Sequence, residues 1–289
     1  MNKRVMMIGA HPDDCDFLSG GIALKYADAG YEVMFLSLCN GCGGHMTMTP
    51  AQTAERRYLE TQRVARYAGI YYDVWRDVPD CELEASLELR RRLVRQIRAF
   101  APELVICHRP NDYHADHRAA SILVQDASYL LTVPNYCTDV PPMYRMPVIM
   151  YFSDKFQNPP FRPDIVVSID DVEERKFRIW DCHVSQIYEW LPYEQGVLKN
   201  VPADPEERLA WLHEPRIPRD RILSAEEIQR LGMRSSGETR DAYKASKYRD
   251  DLVKRYGEAG KTVLFAEAFS VCEYGRQPDE TFYNDYFWF

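Results

Sequence analysis

No apolar run in this 289-residue chain approaches the roughly 18 consecutive residues that cross a bilayer. A membrane span is therefore not expected. An excess of basic charge is missing too: 36 Lys and Arg stand against 44 Asp and Glu, for a formal net charge of −8. Nucleic-acid binding relies on a basic face that displaces phosphate counterions, so nucleic acid is not an expected partner. Repeats and low-complexity linkers are absent. One domain over residues 1–289, with an irregular C-terminal elaboration from about 190, is the economical expectation. The N-terminal apolar stretch, Val5 to Ala10, is too short for a signal peptide and runs straight into His-Pro-Asp-Asp. It reads as a buried first strand, and the expected location is cytoplasmic. Eight cysteines are scattered through a chain too large to need disulfide staples, so reduced thiols are expected.

What is present is ordinary globular composition, 46% hydrophobic and 28% charged, which excludes wholesale disorder. The first half alternates short apolar runs with amphipathic stretches. Strands are expected at Arg4–Gly9, Glu32–Leu38, Tyr71–Trp75 and Leu104–Cys107. Helices are expected at Leu18–Ala29, Thr53–Tyr67, Ala85–Phe100 and Asp116–Leu131. This series predicts an α/β fold: a doubly wound, mostly parallel, Rossmann-like sheet with helices on both faces. In the second half, Val148–Phe152 and Ile165–Ile169 read as strands, and Val172–Tyr188 and Glu238–Tyr256 as helices. Residues 134–147 and 192–218 read as irregular.

Metal-ligating side chains concentrate in two patches. The first is Ala10-His11-Pro12-Asp13-Asp14, directly after the first strand. The second is Asp112-Tyr113-His114-Ala115-Asp116-His117, just after the fourth. In a doubly wound sheet of order 3-2-1-4-5, strands one and four are neighbours at the switch point, where ligands collect. The two patches, about a hundred residues apart, are thus expected to face each other across one crevice. Imidazoles with a carboxylate are what Zn²⁺ takes at a catalytic site.

These motifs resemble the PIG-L (LmbE-like) family of metal-dependent N-deacetylases. The resemblance rests on A-H-P-D-D at Ala10–Asp14 and on P-x-D-x-H-x-D-H at Pro110, Asp112, His114, Asp116 and His117. Supporting features are Gly41-Cys42-Gly43-Gly44, the pair Arg57 and Glu60, Pro79-Asp80, His183-Val184-Ser185-Gln186 and Ala266-Glu267-Ala268-Phe269. The resemblance implies a hydrolase that removes the N-acetyl group from an N-acetylglucosamine-type amino sugar or its glycoside. It implies His11, Asp14 and His117 as ligands of Zn²⁺, with Fe²⁺ as an alternative ion. Asp13 is implied as general base, and His114 as the group that stabilises or protonates the tetrahedral intermediate. Asp116 is implied to orient His114, and Arg57 and Asp80 to contact sugar hydroxyls. Asp112 stands where some members carry a tyrosine thought to assist the oxyanion.

Rival functions are an amidase for a larger acyl group and a non-hydrolytic sugar-nucleotide module. The latter has no use for converging metal ligands, and Gly41–Gly44 is not a dinucleotide fingerprint. Cys39-Asn40-Gly41-Cys42 lacks a second C-x-x-C and fits a strand end followed by a glycine turn. His108 reads as a packing or supporting residue, and His183 as either structural or close to the site. His45 could reach substrate or stay on the surface. The stripe of Phe177, Trp180, Val184, Ile187 and Tyr188 reads as core. The aromatic C-terminus, residues 283–289, is expected to dock on the body or on another copy of the chain, and a homo-oligomer is left open.

Overall fold

In the computed structural model, which describes residues 3–234 and 236–289, β1 (Arg4–Gly9) is flanked by β2 (Glu32–Ser37) and β4 (Leu104–Cys107). The sheet continues through β3 (Tyr71–Val74) on one side. On the other side come β5 (Val148–Phe152), β7 (Ala266–Val271) and β6 (Ile165–Ser168). The full order is β3-β2-β1-β4-β5-β7-β6. Pairs among β1 to β5 are parallel, and β7 runs antiparallel to β5 and β6. The expected parallel core is present, extended by an antiparallel edge.

The helices are α1 (Asp14–Asp28), α2 (Pro50–Ala68), α3 (Leu87–Phe100), α4 (Ala115–Leu130), α5 (Glu173–Asp181), α6 (Leu191–Glu194), α7 (Pro205–Leu212), α8 (Ala225–Leu231), α9 (Glu238–Lys247), α10 (Arg249–Tyr256) and α11 (Glu280–Tyr286). Side chains alternate across a strand, and β1 shows the result. Val5 and Met7 join a core with Ile22, Val64 and Phe177. Met6 and Ile8 join a second core with Leu93, Ile97, Ala120 and Leu123. Layers on the two faces of the sheet therefore share its central strand. No helix among the described residues is long and apolar enough to cross a membrane.

Several boundaries differ from the sequence reading. The helix expected over 172–188 stops at Asp181 and is followed by a π-helical turn, Ser185–Trp190. The one expected over 238–256 breaks at Tyr248 into α9 and α10. The stretch 192–218 contains α7, whose first turn is capped by the Asp204 carboxylate. Strand β7 was hidden because a carboxylate interrupts its apolar run. Glu267 is fully buried there, accepts the Gly21 and Ile22 amides of α1, and pairs with buried Lys176 at 2.7 Å. Lys176 also holds Asp241 at 2.6 Å, tying β7, α1, α5 and α9 together. Removing one partner of such a network strands a charge, at a cost of about 3–5 kcal/mol.

The aromatic tail docks on the body of its own chain. The Tyr26, Tyr31 and Tyr256 hydroxyls donate to the carbonyls of Tyr286, Asp285 and Phe289, and Trp288 stacks on Tyr31 with centroids 5.1 Å apart.

Candidate metal centre

β1 and β4 end side by side, with Ile8 opposite Cys107, so both motif patches emerge at one edge of the sheet. After β1 the chain makes a tight turn in which the Asp13 and Asp14 amides both donate to the His11 carbonyl. The Asp14 carboxylate folds back to accept the His11 amide at 2.7 Å. Gly9 permits this close approach, because a Cβ there would meet the Asp14 Cβ at 2.7 Å. Helix α1 begins at Asp14 and α4 begins just after His114, so two helix N-termini face the same point. Their dipoles favour the ionised carboxylates of Asp14 and Asp116, which stand in the two first turns.

Two ring nitrogens and the two oxygens of one carboxylate converge there. His11 Nδ1 lies 3.2 Å from His117 Nε2 and 3.5 Å from Asp14 Oδ2, and His117 Nε2 lies 3.4 Å from Asp14 Oδ1. Donors bound to one tetrahedral ion at about 2.0–2.2 Å are roughly 3.3–3.6 Å apart, so these separations fit a small divalent cation. The far nitrogens fit as well. His11 Nε2 faces Asp80 at 3.0 Å and Asp116 at 3.1 Å, and His117 Nδ1 faces Asp112 at 3.1 Å. A carboxylate on the far nitrogen fixes the tautomer that leaves the near nitrogen's lone pair free for a metal.

The groups whose ligand atoms all lie within 4.8 Å of one another here overlap on these residues: His11, His114 and His117; Asp14, His108 and His117; and His11, Asp80, His114 and Asp116. Asp14, Asp80, Asp112 and Asp116 all contact these histidines, and the cation alongside, Arg57, lies 3.0 Å from Asp13 and 3.9 Å from Asp80. Charge balance therefore favours a cation. The titrations point the same way. Burial opposes a charge on His117, but Asp14 and then Asp112 outweigh it and raise the imidazole to about 9. Burial likewise opposes ionisation of Asp14, yet His117 and His108 hold it well below the usual carboxylate range.

The remaining site residues are placed as follows. His114 caps α4: its Nδ1 accepts the Asp116 amide at 3.2 Å, which leaves the ring proton on Nε2. Burial, then His11 and His117, lower its pKa, so the ring stays neutral and Nε2–H is a donor. His108 Nε2 lies 3.1 Å from Asp14 Oδ2 and 3.3 Å from the Ala10 amide, and its ring stacks on His117 at 4.0 Å. Burial, only partly offset by Arg57, raises Asp13.

Three expectations need correction. The Asp116 carboxylate orients His11 and not His114. It also accepts the Cys81 and Leu83 amides, because the first turn of α4 aims it at the 80–83 segment. Arg57 is only 3% exposed and turns inward, donating to the Gly41 and Pro12 carbonyls as well as to Asp13, so it is not free for a sugar. Asp80 is spent on His11 and on the Gly43 amide at 3.2 Å. The His117–Asp112 contact was not anticipated. Asp112 lies five residues before His117, in the loop that leads into α4, and its presence in the same ligand-rich patch is the signal that could have found it.

Residues 6–128 match the family model described as GlcNAc-PI de-N-acetylase, PIG-L. A diacetylchitobiose deacetylase of Thermococcus kodakarensis is 32% identical over 206 residues, which cover 66% of this chain and 74% of that protein. The chain belongs to the PIG-L family. A 4-oxalmesaconate hydratase of Pseudomonas putida is 25% identical over 205 residues, covering 68% of this chain and 79% of the hydratase. The structure of an N,N'-diacetylchitobiose deacetylase from Pyrococcus horikoshii superposes with a TM-score of 0.63 at 23% identity. The match covers 94% of this chain and 84% of that one, and is a likeness of fold.

In this PIG-L chain the supporting motifs meet as a clamp on the glycine-rich loop. Arg57 holds the Gly41 carbonyl, and Gln186 donates to the Gly44 carbonyl at 3.0 Å. Glu60 accepts the Ser185 amide and hydroxyl at 2.9 and 2.6 Å. Gly41 has φ +66, and a Cβ there would strike the Arg57 guanidinium at 2.5 Å, so both its conformation and its lack of a side chain are required. His183 is fully buried and pairs with Asp16 at 3.1 Å, whose other oxygen accepts the Tyr72 hydroxyl. His45 is tied to Glu189 at 2.8 Å. Cys39 is buried, with its thiol on the Ala10 carbonyl.

Proposed function

We propose that this chain is a metal-dependent N-deacetylase that hydrolyses the acetamido group of an N-acetylglucosamine-type amino sugar or its glycoside, releasing acetate and a free amine. The observation that carries the reading is the convergence of His11 Nδ1, His117 Nε2 and the Asp14 carboxylate at 3.2–3.5 Å, each imidazole braced from behind by a carboxylate. The 32%-identical deacetylase relative supports the reaction class. His11, Asp14 and His117 are the ligands in this reading. Their two nitrogens and one oxygen suit Zn²⁺, with Fe²⁺ as the alternative. Such an ion acidifies water and polarises an amide carbonyl when bound.

The chain's own groups supply the rest. Asp13 accepts the proton of the attacking water and returns it to the departing amine nitrogen. Arg57 engages its Oδ1 and favours the ionised form, which leaves Oδ2 to receive the proton. His114 offers Nε2–H to the oxygen that gains charge, and its orientation is set by the Asp116 backbone amide. The N-termini of α1 and α4 add favourable dipoles. Residues 1–289 act as one catalytic unit on a small-molecule amino sugar, in a reducing, cytoplasmic setting.

The hydratase relative offers a different chemistry on the same scaffold, and its lower identity makes it the weaker guide. The test is acid and amine release from a panel of glucosamine derivatives N-acylated with acetyl or larger groups, with 4-oxalmesaconate as comparator, using metal-loaded and chelated protein. Acetate release that chelation abolishes is the expected result. Hydration of the comparator with no acetate from any sugar overturns the reading, and release of only larger acyl groups replaces it with an amidase.

A further inference from the structure

One side chain at the metal centre has no role in the reaction as derived. Tyr113 lies between Asp112 and His114, and 74% of its surface is exposed. Its ring centroid stands 5.6 Å from that of His114, at 87°, and 5.9 Å from that of His117, at 75°. The ring is thus upright beside the two imidazoles that border the candidate ion position. Phe156, from the segment between β5 and β6, continues the aromatic surface with its centroid 6.2 Å away. The backbone beneath is fastened: Arg118 Nη1 donates to the Asp112 and Tyr113 carbonyls at 2.7 and 2.9 Å. The Asp112 carboxylate also accepts the His114 amide at 2.9 Å. The root of Tyr113 is fixed, and much of its ring is open to solvent.

We propose that the Tyr113 ring, extended by Phe156, is the platform on which the pyranose ring of the substrate stacks while its acetamido group occupies the metal centre. This rests on the deacetylase reading above. A pyranose presents C–H bonds on its faces, and a π-face with negative quadrupole is their natural partner. The amide carbon hangs two bonds from a ring carbon, roughly 4 Å from the sugar's centre at ordinary bond lengths. A sugar stacked on Tyr113 therefore reaches the His117 side of the centre with its amide. The platform holds the sugar and leaves the chemistry to Asp13 and His114. The substrate class this selects is a cyclic amino sugar with an unsubstituted apolar face.

The test measures KM and kcat for acetate release from N-acetylglucosamine glycosides by the wild type, Tyr113→Phe, Tyr113→Trp and Tyr113→Ala, each checked for metal content and melting temperature. Tyr113→Ala is expected to raise KM about tenfold or more, with a much smaller loss in kcat, because stacking contributes to ground-state and transition-state binding alike. The two aromatic replacements are expected to stay near the wild type, and Phe156→Ala to raise KM less than Tyr113→Ala. An unchanged KM in Tyr113→Ala overturns the platform. So does a loss confined to kcat, or a Tyr113→Phe enzyme as impaired as Tyr113→Ala, which would make the hydroxyl the working group. A wild type that releases no acetate from any amino sugar overturns the deacetylase reading itself, a result distinct from these.

Discussion

Two clusters of buried histidine and carboxylate can be set side by side. One is the centre at the ends of β1 and β4. The other is Glu173, His213 and Glu238, whose ligand atoms also lie within 4.8 Å of one another. Residue types do not separate them; the arrangement of their donor atoms and of the groups around them does. In the second cluster Arg219 contacts Glu238 at 3.0 Å and Glu173 at 3.6 Å, with Arg216 at 4.0 Å from Glu238. The Ile217 amide takes the other Glu238 oxygen at 2.7 Å, and His213 lies flat on Phe177. The guanidinium groups and the Ile217 amide converge on Glu238, so the cluster reads as a structural knot pinning 213–219 to α5 and α9. At the first centre the carboxylates stand behind the histidines, Arg57 lies 3.0 Å from Asp13 and 3.9 Å from Asp80, and the near nitrogens face one another. The lesson is that a metal site needs donor atoms that face one another while carboxylates brace the imidazoles from behind.

The sharpest way to break this comparison is to remove a ligand. His117→Ala should lose most of its bound metal and on the order of 10³-fold or more in turnover, since a bound ion supplies several kcal/mol of charge stabilisation. Elemental analysis beside kinetics reads both. If His117→Ala kept its ion while His114→Ala lost it, the two histidines would exchange roles. Asp13→Asn comes next: turnover should drop by about 10²–10⁴ while metal content holds, which a zinc titration would check. A fully active Asp13→Asn would remove the base.

The second cluster should answer differently. His213→Ala should leave metal content alone and lower stability by roughly 1–3 kcal/mol, because it exposes Phe177 and leaves Glu238 short of a partner. Denaturant unfolding measures this, and a parallel loss of metal would refute the structural assignment. The smallest effect concerns pH. Burial, reinforced by Glu238, lifts the Glu173 carboxyl to about 7. Between its ordinary value and 7 the unfolded chain ionises while the folded one holds its proton. Stability therefore falls as pH rises through that window, and the penalty is complete above it. Glu173→Gln should melt higher than wild type at pH 8, with the gap closing toward pH 4.5.

Much of the fold was legible because burial leaves a periodic trace. Strands β1 to β5 are short apolar runs, and α3 carries an apolar face with Leu93, Val94 and Ile97 buried. Strand β7 was not legible, since Glu267 breaks its run and its partner Lys176 lies about ninety residues away. The two patches were legible as ligand-rich, and their approach followed from strand order. Which way Arg57, Asp80 and Asp116 point was not, because a side chain's direction depends on neighbours that local sequence does not specify.

The sequence by itself determined the chemistry on offer: imidazoles and carboxylates placed just after two strands that a parallel sheet brings together. Tertiary structure decided how that chemistry is divided. Asp80, Asp112 and Asp116 became braces for the histidines, Arg57 became a lock on the glycine-rich loop and on Asp13, and Glu173, His213 and Glu238 were closed by arginine. The physical reason is that a buried charge must be met by whatever lies within a few ångströms, and for these groups that neighbour comes from a distant part of the chain.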